Sequence, residues 1–226
     1  MGGSGYIHNQ ITIFIFMNTL YFSATKGKKE DCVLYKHHKD IFTFAENNLN
    51  SLPSVYNAAI DMSLERNVDY LVLCHDDVII NSSLALELSR AFKGFDVIGV
   101  AGTSQAKIQK PALWHLMSEP QYLHGAVAHG TADRKVMTSF GVYPHRAVML
   151  DGVFLAIKRD VFKNVRFDES NPAKFHFYDL IYTLTCHQKG YKVGVGDIMI
   201  THTSPGLRGF TDEFKLGEDY FINTYG

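Results

Sequence analysis

The sequence predicts a single α/β domain in which a mostly parallel central sheet is flanked by helices, with a small antiparallel addition. Three observations lead there. Strand-like and helix-like segments alternate through the first hundred residues, as βαβ units do. The segment YLVLC at residues 70–74 is fully apolar, as expected of a buried strand, and runs straight into two carboxylates. The 226 residues, 46% hydrophobic and 20% charged, carry enough apolar side chains for one large core.

Taken in order, residues 1–5 (MGGSG) read as an expression linker and stand outside the fold. Residues 11–17 and 32–35 read as the first two strands. A helix is expected over 52–66, with Ser51 as cap, Pro53 in the first turn and a buried stripe of Val55, Ala58, Ala59, Met62 and Leu64. Residues 70–74 form a strand, 82–92 a helix capped near Asn81, and 97–101 another strand. From 102 to 148 no period is sustained, which predicts loops and short antiparallel strands. A strand at 153–157, a short helix from Arg159, a helix over 175–189 closed by Gly190, and a strand over 192–200 follow. The tail beyond Thr201, with Ser204-Pro205-Gly206 and several aromatics, reads as a loop that orders over a ligand.

Composition narrows the function. A formal net charge of −1 gives no reason to expect nucleic acid as the main partner. The longest apolar run, residues 11–22, contains Asn18 and Thr19 and falls short of the roughly 20 residues that cross a bilayer. It also lacks a basic leader, so no integral membrane segment is expected. Cys32, Cys74 and Cys186 are odd in number and widely spaced, which reads as reduced core thiols in a cytoplasmic protein. No GxxxxGK[ST] segment is present, which disfavours a P-loop ATPase. Lys26-Gly27-Lys28-Lys29 reads as a solvated loop, and His37-His38 lacks a second cluster at zinc spacing.

The chemistry concentrates at strand ends. Asp76 and Asp77 repel each other and resist desolvation unless a cation or a solvated cleft stabilises them. Asp is also common between a strand and a helix, but ligands of open α/β sheets gather beyond the carboxyl ends of the strands. Hard divalent cations take one or two carboxylates and complete their shell with phosphate and water. His202 follows the last strand and can approach the pair if that strand ends on the same edge, in which case its imidazole favours Mn²⁺ over Mg²⁺. Asp179 lies in the first turn of a helix, where the dipole stabilises it; near a cleft floor it could take a proton from a hydroxyl. Asp151-Gly152 permits close approach of a chain or ligand, or marks a bulge. Trp114 and Tyr122 offer flat faces for a sugar or for core packing.

SVYNAAI at 54–60, YLVLCHDDV at 70–78, LDGVFLAIKRDVF at 150–162, FHFYD at 175–179 and THTSPG at 201–206 together resemble the family 2-like glycosyltransferases of the GT-A fold, bacterial and viral in type. The resemblance spans roughly residues 11–206. It implies a GT-A catalytic domain over 6–206, with a nucleotide-binding half at 6–102, an acceptor and catalytic half at 103–206, and a tail at 207–226 that could act as a lid. It implies a metal-dependent transferase moving a sugar from a nucleotide diphosphate sugar, expected to be a UDP-sugar, to a glycan or other hydroxyl acceptor with inversion. HDD stands where the family carries its DxD-type motif. Asp77 is then the metal ligand, Asp76 shares the metal or meets the ribose, and His202 matches the C-terminal ligand of Mn²⁺ or Mg²⁺. Asp179 matches the catalytic base, with Tyr178 where the family more often shows Glu. Asp151 and Gly152 would line the sugar pocket, Asn57 would lie near the nucleotide, and the 16–19 loop containing Asn18 near the base.

Two other functions compete. A nucleotidyltransferase would carry a Gly-rich, Arg/Lys-bearing loop after the first strand, which Met17-Asn18-Thr19 does not offer. A catalytically silent sugar-nucleotide or glycan-binding module would not need HDD, Asp179 and His202 together.

Overall fold

The structure, a computed structural model, describes residues 17–106, 109–204 and 210–226. Strand β1 (Thr19–Ala24) leads to the short helix α1 (Val33–His37) and to β2 (Thr43–Ala45). Helix α2 (Leu52–Glu65), β3 (Tyr70–Cys74), β4 (Val78–Ile80), α3 (Leu84–Ala91), β5 (Val97–Gly99) and β6 (Ala101–Thr103) complete the first half. The second half holds α4 (Trp114–Met117), the hairpin β7 (Leu123–Gly130) and β8 (Lys135–Gly141), then β9 (His145–Arg146), β10 (Met149–Leu150) and β11 (Phe154–Lys158). It closes with α5 (Arg159–Phe162), α6 (Tyr178–Gln188), β12 (Val193–Val195), β13 (Ile200–His202) and α7 (Asp212–Tyr225).

These strands make two sheets flanked by helices. The larger has seven strands in the order β2-β1-β3-β11-β5-β12-β9, and the smaller runs β10-β6-β7-β13-β4 with β8 on the outer side of β7. The larger sheet is less parallel than the alternating pattern predicts. β11 enters antiparallel between β3 and β5, and β9 antiparallel to β12, leaving β1–β2, β1–β3 and β5–β12 as parallel pairs. β3 is the hub: Leu71, Val72, Leu73 and Cys74 are wholly buried, covered on both faces. Each such aliphatic side chain contributes roughly 1.5–3 kcal/mol over an exposed one.

Several local expectations change. The expected strand at 11–17 lies almost wholly outside the described residues, among which the first strand is Thr19–Ala24. The run at 32–35 opens helix α1, and the second strand is Thr43–Ala45. Four apolar residues are too few for periodicity to separate strand from helix, and one helical turn is enough to bury Leu34 completely. Helix α2 ends one residue early and is capped as expected, Ser51 Oγ accepting from the Ser54 N–H at 3.4 Å. Its buried face includes Tyr56, Asn57 and Ile60, whereas Ala58 is exposed. Helix α3 is capped at Ser83 rather than near Asn81, whose Oδ1 instead accepts from Thr201 Oγ1.

The expected strands at 97–101 and 192–200 are each two strands, one per sheet. Val100 is the crossing point of the first, with backbone groups bonded on to β7. Helix α6 begins at Tyr178, three residues late, because Phe177 sits in the left-handed region at φ 65°. Gly190 closes it at φ +88°, the conformation glycine tolerates best. Of the tail expected to be a loop, residues 205–209 lie outside the described residues and 212–225 form a helix, α7, packed over the start of α6 by Phe214 and Phe221 against Phe177. Gly217 allows the approach, since a Cβ there would fall 2.4 Å from that of Ala173.

Candidate functional site

Asp76 and Asp77 occupy the turn between β3, in the larger sheet, and β4, in the smaller. The backbone of Asp76 is held by α1, the Leu34 N–H donating to its carbonyl at 2.9 Å. Its carboxylate accepts a long 3.6 Å contact from Cys32 Sγ. β13 pairs antiparallel with β4 so that His202 stands opposite Val78, one residue from Asp77. Thr203 locks that register, its N–H and its hydroxyl both donating to the Asp77 carbonyl, at 2.9 and 2.8 Å.

The result is a cluster. Among the described residues, His75, Asp77 and His202 each bring one ligand atom within 4.8 Å of the others. His202 Nε2 and Asp77 Oδ1 lie 3.2 Å apart, an ion-pair distance. Yet both atoms are buried and neither is aimed so as to complete a hydrogen bond. Buried polar atoms are rarely left so, and a carboxylate oxygen facing an imidazole nitrogen is a donor set that suits a divalent cation. Burial alone would raise the Asp77 carboxyl, but His202 and His75 outweigh it and hold it below the usual range. Burial alone would lower His202, but Asp77, Asp151 and Asp76 outweigh it and raise the imidazole. His75, half-buried between the strands, is pushed down by desolvation, which favours its neutral form.

A cleft of about 390 Å³ opens on this cluster, lined by Thr25, Lys26, Asn48, Tyr56, Asp76 and Asp77. Lys26 reaches over it with its ammonium 4.5 Å above the Phe175 ring. A smaller neighbouring cleft of about 160 Å³ includes Trp114, Asp151, Phe175, His176 and Asp179, and His75 lines both.

Asp179 is half-buried and lines the second cleft. Desolvation first, and then the negative charge of Asp151, raise its carboxyl to about 7. Its Oδ2 accepts from the Gly152 N–H at 2.7 Å. Gly152 must be glycine: a Cβ would sit 2.3 Å from Tyr178 Oη and 2.7 Å from Asp179 Cβ. Asp151 closes its own turn by accepting from Val153 N–H at 3.0 Å. The left-handed Phe177 immediately before α6 is an unfavourable backbone state for a non-glycine residue, held by the packing of α7.

The structure therefore brings Asp76, Asp77, Asp151, Gly152, Asp179 and His202 together, and leaves two expected residues out. Asn18 precedes β1 at the amino end of the sheet, where its amide donates to Asn67 O; the loop that reaches the cleft is residues 25–28. The displaced first strand is the cause. Asn57 is consumed structurally: its amide donates to Phe167 O at 3.0 Å and to Glu169 at 2.6 Å and accepts from Phe167 N–H at 2.9 Å. Trp114 packs on Phe140 with little exposed surface. His38 accepts from the Ile80 N–H, a structural role. His75 and Lys26 were missed. His75 was legible as part of HDD, and Lys26 once the loop after β1 is placed correctly.

An α/β domain with a carboxylate and imidazole centre at its strand ends is a ligand-binding and transfer architecture. The chain belongs to the glycosyltransferase-like family, whose model matches residues 33–204. It is thus a transferase that takes a nucleotide sugar and an acceptor. No curated protein matches it. Similar solved structures include A197 from STIV, at 18% identity and TM-score 0.47 over 87% of each chain. Others are mannose-1-phosphate geranyltransferase from Thermus thermophilus (8%, TM-score 0.34, 84% of this chain and 75% of that one) and inositol-1-phosphate CTP transferase from T. maritima (12%, TM-score 0.34, 83% and 70%). Among the described residues no helix is long and apolar enough to cross a membrane.

Proposed function

We propose that the chain is a divalent-metal-dependent glycosyltransferase that moves a sugar from a nucleotide diphosphate sugar, in the first instance a UDP-sugar, to an acceptor hydroxyl with inversion. The observation that carries this reading is the clustering of His75, Asp77 and His202 beside the cleft that His75 and Asp77 line, with buried Asp77 Oδ1 and His202 Nε2 lacking hydrogen bonds. Asp77 and His202 would hold Mn²⁺ or Mg²⁺, and Asp76 would share the ion or meet the ribose. When bound, the cation supplies Lewis-acid stabilisation of the charge that builds on the departing diphosphate.

The chain's own residues supply the rest. Lys26 adds a cationic group to the same cleft. Asp179, with its carboxyl raised to about 7, is basic enough near neutrality to take the proton of the acceptor hydroxyl. The Gly152 N–H fixes its orientation, and Asp151 strengthens it as a base by opposing its ionisation. Asp151 and Gly152 would border the transferred sugar. Three free buried cysteines support a reducing, cytoplasmic setting.

Calorimetry of UDP binding, with Mn²⁺ and with a chelator, tests the reading. Asp77→Ala is expected to abolish Mn²⁺-dependent UDP binding, and Asp179→Asn to keep binding while losing transfer. UDP binding that survives chelation unchanged removes the metal assignment, and normal turnover in Asp179→Asn removes the base.

A second reading, nucleotidyltransferase, gains from the true position of β1. The loop after it carries Lys26, Gly27 and Lys28, the residue types such an enzyme places there. Product analysis separates the two, since one releases a nucleoside diphosphate and the other pyrophosphate.

A further inference from the structure

We propose that Tyr178 is a positioning residue that holds His75 as a third protein ligand of the divalent cation, an inference that rests on the metal-dependent reading above.

Tyr178 has one hydroxyl proton and two polar neighbours. Tyr178 Oη lies 2.8 Å from His75 Nε2 and 3.2 Å from the Gly152 carbonyl oxygen. A carbonyl only accepts, and a phenol has one hydrogen to give. Tyr178 therefore donates to Gly152 O, and the hydrogen between Tyr178 and His75 belongs to Nε2. A neutral imidazole carries one N–H, so Nδ1 is left with a bare lone pair. That is the state a metal requires of histidine, reached in the way ligand histidines generally reach it, with the far nitrogen bonded to an oxygen partner.

The hydroxyl is held there by packing. Tyr178 is buried, edge-on to Tyr56 with ring centroids 5.5 Å apart and beside Phe167 at 6.3 Å. Glycine at 152 leaves the room that Tyr178 Oη occupies. The His75 backbone is pinned as well, its N–H donating to Val153 O at 3.1 Å. Both ends of the His75–Tyr178 bond are thus fixed before any ion arrives. The same residue connects to Asp179, because Gly152 accepts from Tyr178 through its carbonyl and donates to Asp179 through its N–H. Tyr178 stands where the resemblance expects Glu, and its hydroxyl oxygen, with its own proton committed to Gly152 O, is a neutral acceptor for the Nε2–H of His75.

A set of two imidazoles and one carboxylate prefers first-row transition ions to Mg²⁺. The full-length chain, stripped with chelator, is titrated with Mn²⁺, Co²⁺ and Mg²⁺ by calorimetry, and the Co²⁺ form is followed by its visible absorption. Wild type is expected to bind Co²⁺ most tightly and Mg²⁺ least. Tyr178→Phe is expected to weaken Co²⁺ and Mn²⁺ about 10–100-fold and to shift the Co²⁺ bands, with the fold checked by circular dichroism. His75→Ala should lose at least as much. Nitrogen-15 NMR of the histidine rings in the metal-free wild-type protein gives a reading that needs no variant: His75 should be protonated at Nε2. Protonation at Nδ1, or unchanged Co²⁺ affinity and spectrum in Tyr178→Phe, overturns the proposal. If wild type binds but Asp77→Ala does not, and both His75→Ala and Tyr178→Phe bind as wild type, only this inference falls. If wild type binds none of the three ions, the metal-dependent reading falls with it.

Discussion

Asp179 shows how one side chain can weaken a fold, a cost that the proposed role as base would put to use. Its folded-state carboxyl is raised to about 7, from 3.8 in an exposed setting, by burial and by Asp151. Below about pH 4 the group is protonated folded or unfolded and carries no penalty. Between there and about pH 7 the unfolded chain ionises first, so the folded state progressively loses stability. Asp179→Asn, which keeps an oxygen for the Gly152 N–H, should therefore melt higher than wild type at pH 8 and equally at pH 4. Differential scanning calorimetry at the two values checks this. Transfer by wild type should rise with pH up to about 7 and then level off, and the variant should lack that limb. Asn57 is the opposite case. Its three hydrogen bonds fasten α2 to the 167–169 loop. Asn57→Ala should cost about 1–3 kcal/mol in urea unfolding, by leaving buried backbone groups unpaired, without changing UDP affinity.

At the level of elements, α7 is bolted down by one carboxylate. Asp168 accepts from the hydroxyls of both Tyr220 and Tyr225 at 2.7 Å. Burial pushes its carboxyl up, but the Tyr225 and Tyr220 hydroxyls and the Ser170 N–H more than offset this and leave it below the usual range. The contribution of this latch is present above the ordinary aspartate range and is lost as pH falls through the depressed value. Asp168→Asn should speed amide exchange in residues 212–225 while leaving β3 protected, measurable by hydrogen–deuterium mass spectrometry. Elements with an uninterrupted signal were readable in the sequence. β3 has an apolar run bounded by turn residues, and α2 has a cap, a proline and a long apolar stripe. What escaped was set by distant partners. Residues 32–35 become helical because α1 docks on the Asp76 backbone, and 97–103 divides because its halves pair with strands far along the chain. α7 carries a Thr211 cap and a helical spacing in Phe214, Gly217 and Phe221, but the Ser, Pro and Gly residues before it outweigh that signal, and its place depends on Asp168, Ala173 and Phe177.

For the whole molecule, the two sheets share a core. Buried residues from β3 and β11 of the larger sheet, β4 and β7 of the smaller, and α7 all belong to one contiguous cluster with Trp114. Trp114, the one tryptophan, is at the small-sheet side, whereas far-UV circular dichroism reports on all elements. Urea transitions followed by the two probes should coincide; an earlier fluorescence transition would show the smaller sheet melting on its own. The acidic pair, Asp179 and His202 could be picked out because a chemical motif advertises itself without a partner. Asn18 and Asn57 could not be excluded on that basis, because only three-dimensional pairing reveals that a polar side chain is already spoken for.

The carboxylate of Asp77 is delivered by the turn leaving the larger sheet, and the imidazole of His202 by the end of β13 in the smaller one. The two are already stitched side by side, because the turn runs straight into β4 and Thr203 ties the Asp77 carbonyl to the end of β13. A pair of side chains seated on neighbouring strands in this way keeps its spacing for as long as β4 and β13 stay zipped, with nothing else needed to assemble it.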